Sequence, residues 1–337
     1  MEPEIKPVVA KSPLSFWRVF LALTIGILVG FGIWYAKNTT AKNIVSGVVS
    51  SPSDILKNTL GHTNVVLLGI GGDGHAGGDL TDSILFVSFN LKNNTATMIP
   101  IPRDLWIPSM KAKINTAYHY GNERREGGGR DLAKSAISEV VGQPVHYAIT
   151  LDFQGFVKAI DAVGGVDVDV QKTFDDYKYP IPGKETAEPE SARYEHVHFD
   201  AGTTHMDGAT ALKFARSRHA EGDEGTDFAR AERQEKIILA FRKKIFSTNT
   251  IFSSDTISKL NDSISSSIDT DITGGEQSSF AKVFLGLGSK ENVRSVSIAE
   301  YLKNPKTLRE YGGQWVLIPS ISWEDVHAYV AKELGVQ

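Results

Sequence analysis

Hydrophobic and polar positions along this chain fall into three rhythms. From Val19 to Tyr35 no charged residue interrupts the run. With Leu14 to Trp17 added and Arg18 able to snorkel, it approaches the roughly 20 residues that span a bilayer. Further on, short β-branched runs predict buried strands at Asn64–Ile70, Ser83–Asn90, Thr95–Ile101 and His146–Leu151. The Leu91–Asn94 turn reads as a hairpin, and Val166–Val170 alternates as a half-exposed strand. Helical spacing is expected over Asp131–Val141, Phe153–Val163, Asp207–Ala215, Asp227–Ser247, Ile251–Ser265, Glu276–Leu287 and Trp323–Leu334. Two more strands are expected at Val293–Ile298 and Gln314–Ile318, while Gln171–Phe199, rich in Pro, Tyr and charge, reads as a long surface excursion. The pattern predicts an α/β fold: a central mixed β-sheet flanked by helices on both faces, preceded by one transmembrane helix.

The apolar N-terminal run orients the rest. Trp17 and the Trp34-Tyr35 pair sit where interfacial aromatics sit, and Lys6, Lys11 and Arg18 outweigh Lys37 and Lys42. That asymmetry predicts a cytoplasmic segment 1–16, an anchor over 17–36 and an exported remainder, a single-pass protein of the cell membrane. A cleaved signal peptide is the rival, but no small-x-small site follows Tyr35. A connector over 37–62 leads into a domain over 63–250, and 251–337 forms an extension that completes or caps it.

Composition narrows the chemistry. The chain has no cysteine, which excludes disulfides, thiol nucleophiles and thiolate metal sites. A net charge of −4 gives no global signature of nucleic-acid binding. Against that balance, the arginines at 216, 218, 230 and 233 converge over a short stretch. Asp227, Arg230, Arg233 and Gln234 fall on one side of a helix, and planar guanidinium forks suit an oxyanion such as phosphate. A solvated basic helix is the alternative. Ile237, Phe241 and Ile245 continue the same stripe, either as a channel for a lipid tail or as ordinary core.

Between the first two strands lies a glycine-rich loop from Gly69 to Ser83, bracketed by Asp73 and Asp82. Two carboxylates meeting a pyrophosphate imply Mg²⁺, and the alternative is a flexible turn with solvated aspartates. The spacing fits neither a Walker loop nor a dinucleotide fingerprint. After the third strand, Pro102 forces an exit that presents Arg103, followed by Asp104 and then Lys113-Ile114-Asn115.

These segments occur in one order: Leu-Leu-Gly, Thr81-Asp82-Ser83, Ile101-Pro102-Arg103-Asp104, Lys113-Ile114-Asn115-x-Ala117-Tyr118, Ala215-Arg216-Ser217-Arg218 and Asp227-Phe228-x-Arg230-x-x-Arg233-Gln234. Asp161-x-x-Gly164-Gly165 and Met206-Asp207-Gly208 fall in the same register. The set resembles the LytR-CpsA-Psr family of bacterial envelope phosphotransferases over about Asn64 to Phe246. The resemblance implies an enzyme that takes a glycopolymer from a polyprenyl-pyrophosphate carrier and joins it to a cell-wall sugar hydroxyl, releasing polyprenyl phosphate. It implies that Arg103, Arg216, Arg218 and Arg230 grip the pyrophosphate, with Arg233 and Gln234 assisting and Asp227 orienting the arginines. Asp73 and Asp82 would hold Mg²⁺ (or Mn²⁺), Lys113 and Asn115 would support the Arg103 loop, and Asp104 would be among the residues that contact the substrate. The glycine-rich loop departs from the family pattern: Asp79 competes with Asp73 as the first metal ligand, and a basic residue common in that loop is missing. Asp82 and Asp104 are both open as acceptors of the hydroxyl proton.

Other classes remain to be weighed. A pyrophosphatase would use the same residues with water as nucleophile, and a lipid-linked glycan-binding protein would retain the ligand without chemistry. Some members of the family carry the label cell envelope-related transcriptional attenuator, but the anchor and acidic balance disfavour nucleic acid as a partner. The histidines show no metal-ligand spacing, and His196-x-His198 reads as a surface feature.

Overall fold

The computed structural model describes residues 51–336 except 74, 76, 185, 218, 226–228, 230, 231, 234, 235, 238, 239, 242, 245–266 and 288–291. The anchor, most of the connector, the expected helix over 251–265 and Arg218, Asp227, Arg230 and Gln234 lie outside the described residues. Among the described residues no helix is long and apolar enough to cross a membrane.

Strand β1 (His62–Ile70) is the centre of a six-stranded sheet. It pairs antiparallel with β2 (Thr81–Asn90), which pairs antiparallel with β3 (Thr95–Pro100). The hairpin expected at Leu91–Asn94 closes the second pair. A two-residue strand pair, β4 (Trp106–Ile107) and β5 (Ala112–Lys113), follows β3. Strand β6 (Tyr147–Asp152) lies parallel to β1 on its other side. The chain beyond residue 266 adds both edges: β11 (Ile268–Thr270) runs antiparallel beside β6, and β12 (Val293–Ser295) runs parallel beside β3.

The period-two pattern sorts the sheet's side chains into two cores. Val66, Leu68, Ile84, Phe86 and Ile99 pack with α3 (Gly128–Val141) and α7 (Trp323–Leu334) on one face. Val65, Leu67, Leu85, Val87 and Met98 pack with Phe280 and Val283 of α6 (Gly274–Gly286) on the other. A short helix, α1 (Pro52–Ile55), precedes β1. Helix α2 (Ala117–Arg124), which the sequence pattern did not signal, crosses α3 at glycines: a Cβ on Gly121 would stand 2.2 Å from the carbonyl oxygen of Gly128.

A third core lies beside the sheet. Helix α4 (Phe153–Ala162) follows β6 directly, and α5 (Gly208–Arg216) lies against it. Gly208 permits that approach, because a Cβ there would meet the carbonyl oxygen of Val157 at 2.2 Å. Strands β7 (Val166–Val170) and β10 (Gly202–Met206) pair antiparallel. The segment expected as a surface excursion instead forms an antiparallel pair, β8 (Phe174–Pro180) and β9 (Tyr194–Phe199). Phe174, Tyr179, Val197 and Phe199 are buried in this third core, so apolar burial overrides the Pro and charge content. The strand expected at Gln314–Ile318 is also corrected. Only Ile318–Pro319 pairs as a strand (β14), with Leu302–Lys303 (β13), because left-handed Gly312 and Gly313 turn the chain just before it.

Candidate functional site

The C-terminal ends of β1, β3 and β6 and the start of β2 meet at one edge of the sheet, where α/β proteins build sites. The glycine-rich loop leaves β1 there and is closed on itself by a bond from Gly72 N to the Gly78 carbonyl, 2.7 Å. Gly72 has φ of 78°, and a Cβ on it would press on Asp152 at 2.9 Å. Asp152 in turn caps α4 by accepting from Gly155 N at 2.6 Å.

Asp82, the second residue of β2, faces Arg103 across the extended β2–β3 pairing. Arg103 Nη1 donates to Asp82 Oδ1 at 2.5 Å, and both side chains are half exposed. The Arg103 backbone is braced from behind: Asn115 N donates to its carbonyl at 3.2 Å, and Ile114 N to that of Leu105 at 2.8 Å. Lys113 Nζ donates to Asp104 Oδ1 at 2.8 Å, while Asp104 Oδ2 stands 3.6 Å from Arg103 Nε. The small β4–β5 hairpin makes these contacts, since it carries the chain back from Trp106 to Lys113. Thr81 Oγ1 donates to the Asn115 carbonyl, and Asn115 Oδ1 is buried without a hydrogen-bond partner among the described residues. Tyr118 ties the same segment to β11 by donating to Asp269 at 2.8 Å; burial, then the Asp269 charge, pushes its phenol up to about 12.

Arg216 reaches this edge from the far end of α5. Its guanidinium lies 4.2 Å from the centre of the Phe153 ring and 5.7 Å from that of Tyr179, with Nη1 3.5 Å from the Tyr179 hydroxyl. No carboxylate pairs with it among the described residues. The opposite edge of the site touches the same phenyl ring: His75 of the glycine-rich loop meets Phe153 edge-on, with centroids 5.2 Å apart. Phe153 thus joins two segments that are far apart in sequence. Phe153, Tyr179 and His75 escaped the sequence analysis; the available signals were a ring directly after the Asp152 cap and the apolar alternation within β8 and β9.

Arg233 differs from the expected phosphate contact, and the apolar stripe takes the core alternative. Arg233 is 2% exposed, and its guanidinium donates to the carbonyls of Phe214, Ser217 and Glu224 and to the Glu224 carboxylate. It lies 4.6 Å from the Phe174 ring. Its donors therefore fasten its own helical turn to the end of α5 and to the turn that follows it, which leaves no face for a phosphate. Ile237 and Phe241 are both 0% exposed within the third core, so neither lines an open channel. The turn itself is also held by Asp176, which accepts from His219 N at 3.2 Å.

The acidic residues of the loop divide. Asp73 is exposed and makes no hydrogen bond or ion pair among the described residues. Asp79 is engaged by His119 Nδ1 at 2.6 Å, a hydrogen bond that raises the imidazole above its ordinary basicity. Among the described residues no three His, Asp or Glu side chains gather into a metal cage. His196 and His198 both contact Asp175, at 2.7 and 2.8 Å, on the exposed side of β9.

Comparison with known proteins adds the lineage of this arrangement. The LytR_cpsA_psr family matches residues 33–318. The chain belongs to that family. A Bacillus subtilis (strain 168) relative, "polyisoprenyl-teichoic acid–peptidoglycan teichoic acid transferase TagV", is 31% identical over 217 residues, covering 63% of this chain and 50% of that protein. The Bacillus anthracis (strain CDC 684 / NRRL 3495) TagU of the same description is 29% identical over 252 residues, covering 69% and 72%. The match thus spans about half the length of the first curated relatives. Among solved structures, the crystal structure of B. subtilis TagV aligns with a TM-score of 0.55 at 24% identity, over 83% of this chain and 100% of that one. A structure described as TagT bound to LIIa-WTA gives 0.54 at 24%, over 83% and 94%. These likenesses identify the mixed-sheet fold of the LytR_cpsA_psr family.

Proposed function

We propose that this protein is an envelope phosphotransferase that moves a glycopolymer from a polyprenyl-pyrophosphate carrier to a cell-wall sugar hydroxyl. The acceptor hydroxyl attacks the glycan-proximal phosphorus. The bond to the bridging oxygen breaks, its electron pair leaves with polyprenyl phosphate, and the hydroxyl proton passes to solvent or to a carboxylate at the site. The observation that carries this reading is Arg216, a guanidinium held between two aromatic rings without a described carboxylate partner, on the edge that also presents Arg103. Fixed cations of this kind stabilise charge on the oxygens of a transferring phosphoryl group. Arg218 and Arg230 join them in this proposal on the strength of the family motif, as do Asp227 and Gln234.

The donor set fits a magnesium ion. Asp73 has no described partner, and Asp82 gives only Oδ1 to Arg103. Mg²⁺ is satisfied by one or two carboxylates together with phosphate oxygens and water. Asp73 and Asp82 would hold it, and when bound it would neutralise charge on the pyrophosphate. Asp104, paired with Lys113 and Arg103, positions the loop and is poorly placed as a base. We also place the segment over 17–36 across the membrane, with the domain outside the cell.

The test is to incubate the full chain in detergent with a prenyl-pyrophosphate glycan, Mg²⁺ and peptidoglycan fragments. Glycan joined to the fragments through a phosphodiester is the expected product. Release of free glycan phosphate at the same rate with and without acceptor would show a pyrophosphatase instead, and an intact donor would show a binding protein.

A further inference from the structure

The chain beyond the sheet returns to pair with the segment that follows Arg103. Leu317 N donates to the Asp104 carbonyl and Trp106 N to the Leu317 carbonyl, each at 2.9 Å, forming a parallel bridge between Leu105 and Leu317. Arg103 stands two residues ahead of that bridge, in the turn closed by Leu105 N donating to the Pro102 carbonyl at 3.1 Å, and Trp315 stands two residues ahead of it on the other chain. Val316 is 0% exposed, its carbonyl accepting from Asn304 Nδ2 at 3.0 Å. Alternation along an extended segment therefore turns Trp315 outward, where it is 52% exposed. Tyr311 packs edge-on against Trp106 at 5.1 Å, immediately before the Gly312-Gly313 turn that delivers Trp315. That turn is closed by Gly313 N donating to the Leu308 carbonyl at 2.9 Å.

The half-exposed indole, on a backbone held at both sides, presents a flat apolar face with an N–H donor at its edge. Its surroundings suit a carbohydrate. Flat π-faces meet the apolar C–H faces of pyranose rings, and the exposed Gln314 amide supplies donor and acceptor for ring hydroxyls. We propose that Trp315, with Tyr311 and Trp106, forms a subsite for pyranose rings of the acceptor glycan, which presents its hydroxyl toward the Arg103 edge. The acceptor assignment rests on the transferase reading above; binding of sugar at this surface does not.

The test compares the full-length wild type with W315A and W315F. The probe is a soluble β-1,4-linked N-acetylglucosamine tetramer, followed by titration calorimetry, and transfer is assayed in parallel. The tetramer should bind the wild type with measurable heat, and W315A should lose that binding. W315A should also raise the KM for acceptor about tenfold, as loss of an aromatic anchor does, with kcat nearly unchanged. W315F should recover most of the affinity, and donor cleavage without acceptor should be unaffected in both variants. Wild-type acceptor KM in W315A overturns the proposal, and so does equal loss of donor cleavage, which would make Trp315 a structural part of the phosphate edge. If the wild type consumes no donor at all, the transferase reading falls, while the difference in tetramer binding still decides the subsite.

Discussion

The guanidinium of Arg216 rests 4.2 Å from the centre of the Phe153 ring, joining the last residue of α5 to the first residue of α4. The ring holds the cation without neutralising it, unlike a carboxylate. Replacing Phe153 by leucine keeps apolar volume and removes the π-face. A desolvated cation–π contact is worth about 0.5–2 kcal/mol. F153L should therefore lower transfer by about 2- to 30-fold while leaving thermal stability near wild type. Unchanged kcat/KM would show that Arg216 needs no such platform.

Arg233 makes the opposite prediction. Its removal leaves three carbonyls and the Glu224 carboxylate without their donor in a buried setting. Breaking such an arrangement costs about 3–5 kcal/mol. Urea unfolding of Arg233→Met should show a loss of that order, whereas Arg103→Ala, half exposed at the sheet edge, should unfold near the wild-type midpoint. Equal stability of R233M and wild type would free Arg233 for a direct role with phosphate.

The contrast explains what the sequence disclosed. Strand positions around Val65, Leu85 and Met98 were legible because period-two burial needs only local pattern, and the Arg103 brace followed from motif order. By helical spacing alone Arg233 groups with Arg230 and Gln234, and no local signal distinguishes an arginine that binds ligand from one that binds carbonyls. That distinction depends on where the turn after α5 lies. The β8–β9 pair was hidden by its Pro, Asp and Tyr content; Tyr179 is buried because β9 covers it, a contact between residues distant in sequence. Helix α2 was hidden by its Gly and charged residues, and it forms because Gly121 and Gly128 allow two backbones to touch.

The pairing of His119 with Asp79 fastens the glycine-rich loop to α2, with Glu123 3.5 Å from the other ring nitrogen. The hydrogen bond from Asp79 raises the imidazole pKa in the folded protein. A raised folded-state value means the pair contributes fully below the unfolded value of about 6.5 and is lost as pH rises through the folded one. NMR titration of His119 should give a midpoint above that reference, and Asp79→Asn should bring it back down. A midpoint at or below the reference would mean that the loop is not held by this ion pair in solution.

Phe241 decides whether the apolar stripe is core or channel. It is 0% exposed and packs in the third core with Ile237, Phe214 and Val168, so truncation to alanine leaves a void among side chains that do not collapse fully. The expected cost is about 3–5 kcal/mol, read by urea unfolding. A channel residue would behave differently: its truncation would widen a solvent-reachable space, cost little stability and shift the preference among prenyl chain lengths. Full-length F241A should therefore lose stability and keep the wild-type ratio of rates on short and long prenyl donors. A changed ratio at unchanged stability would return Phe241 to the lipid path.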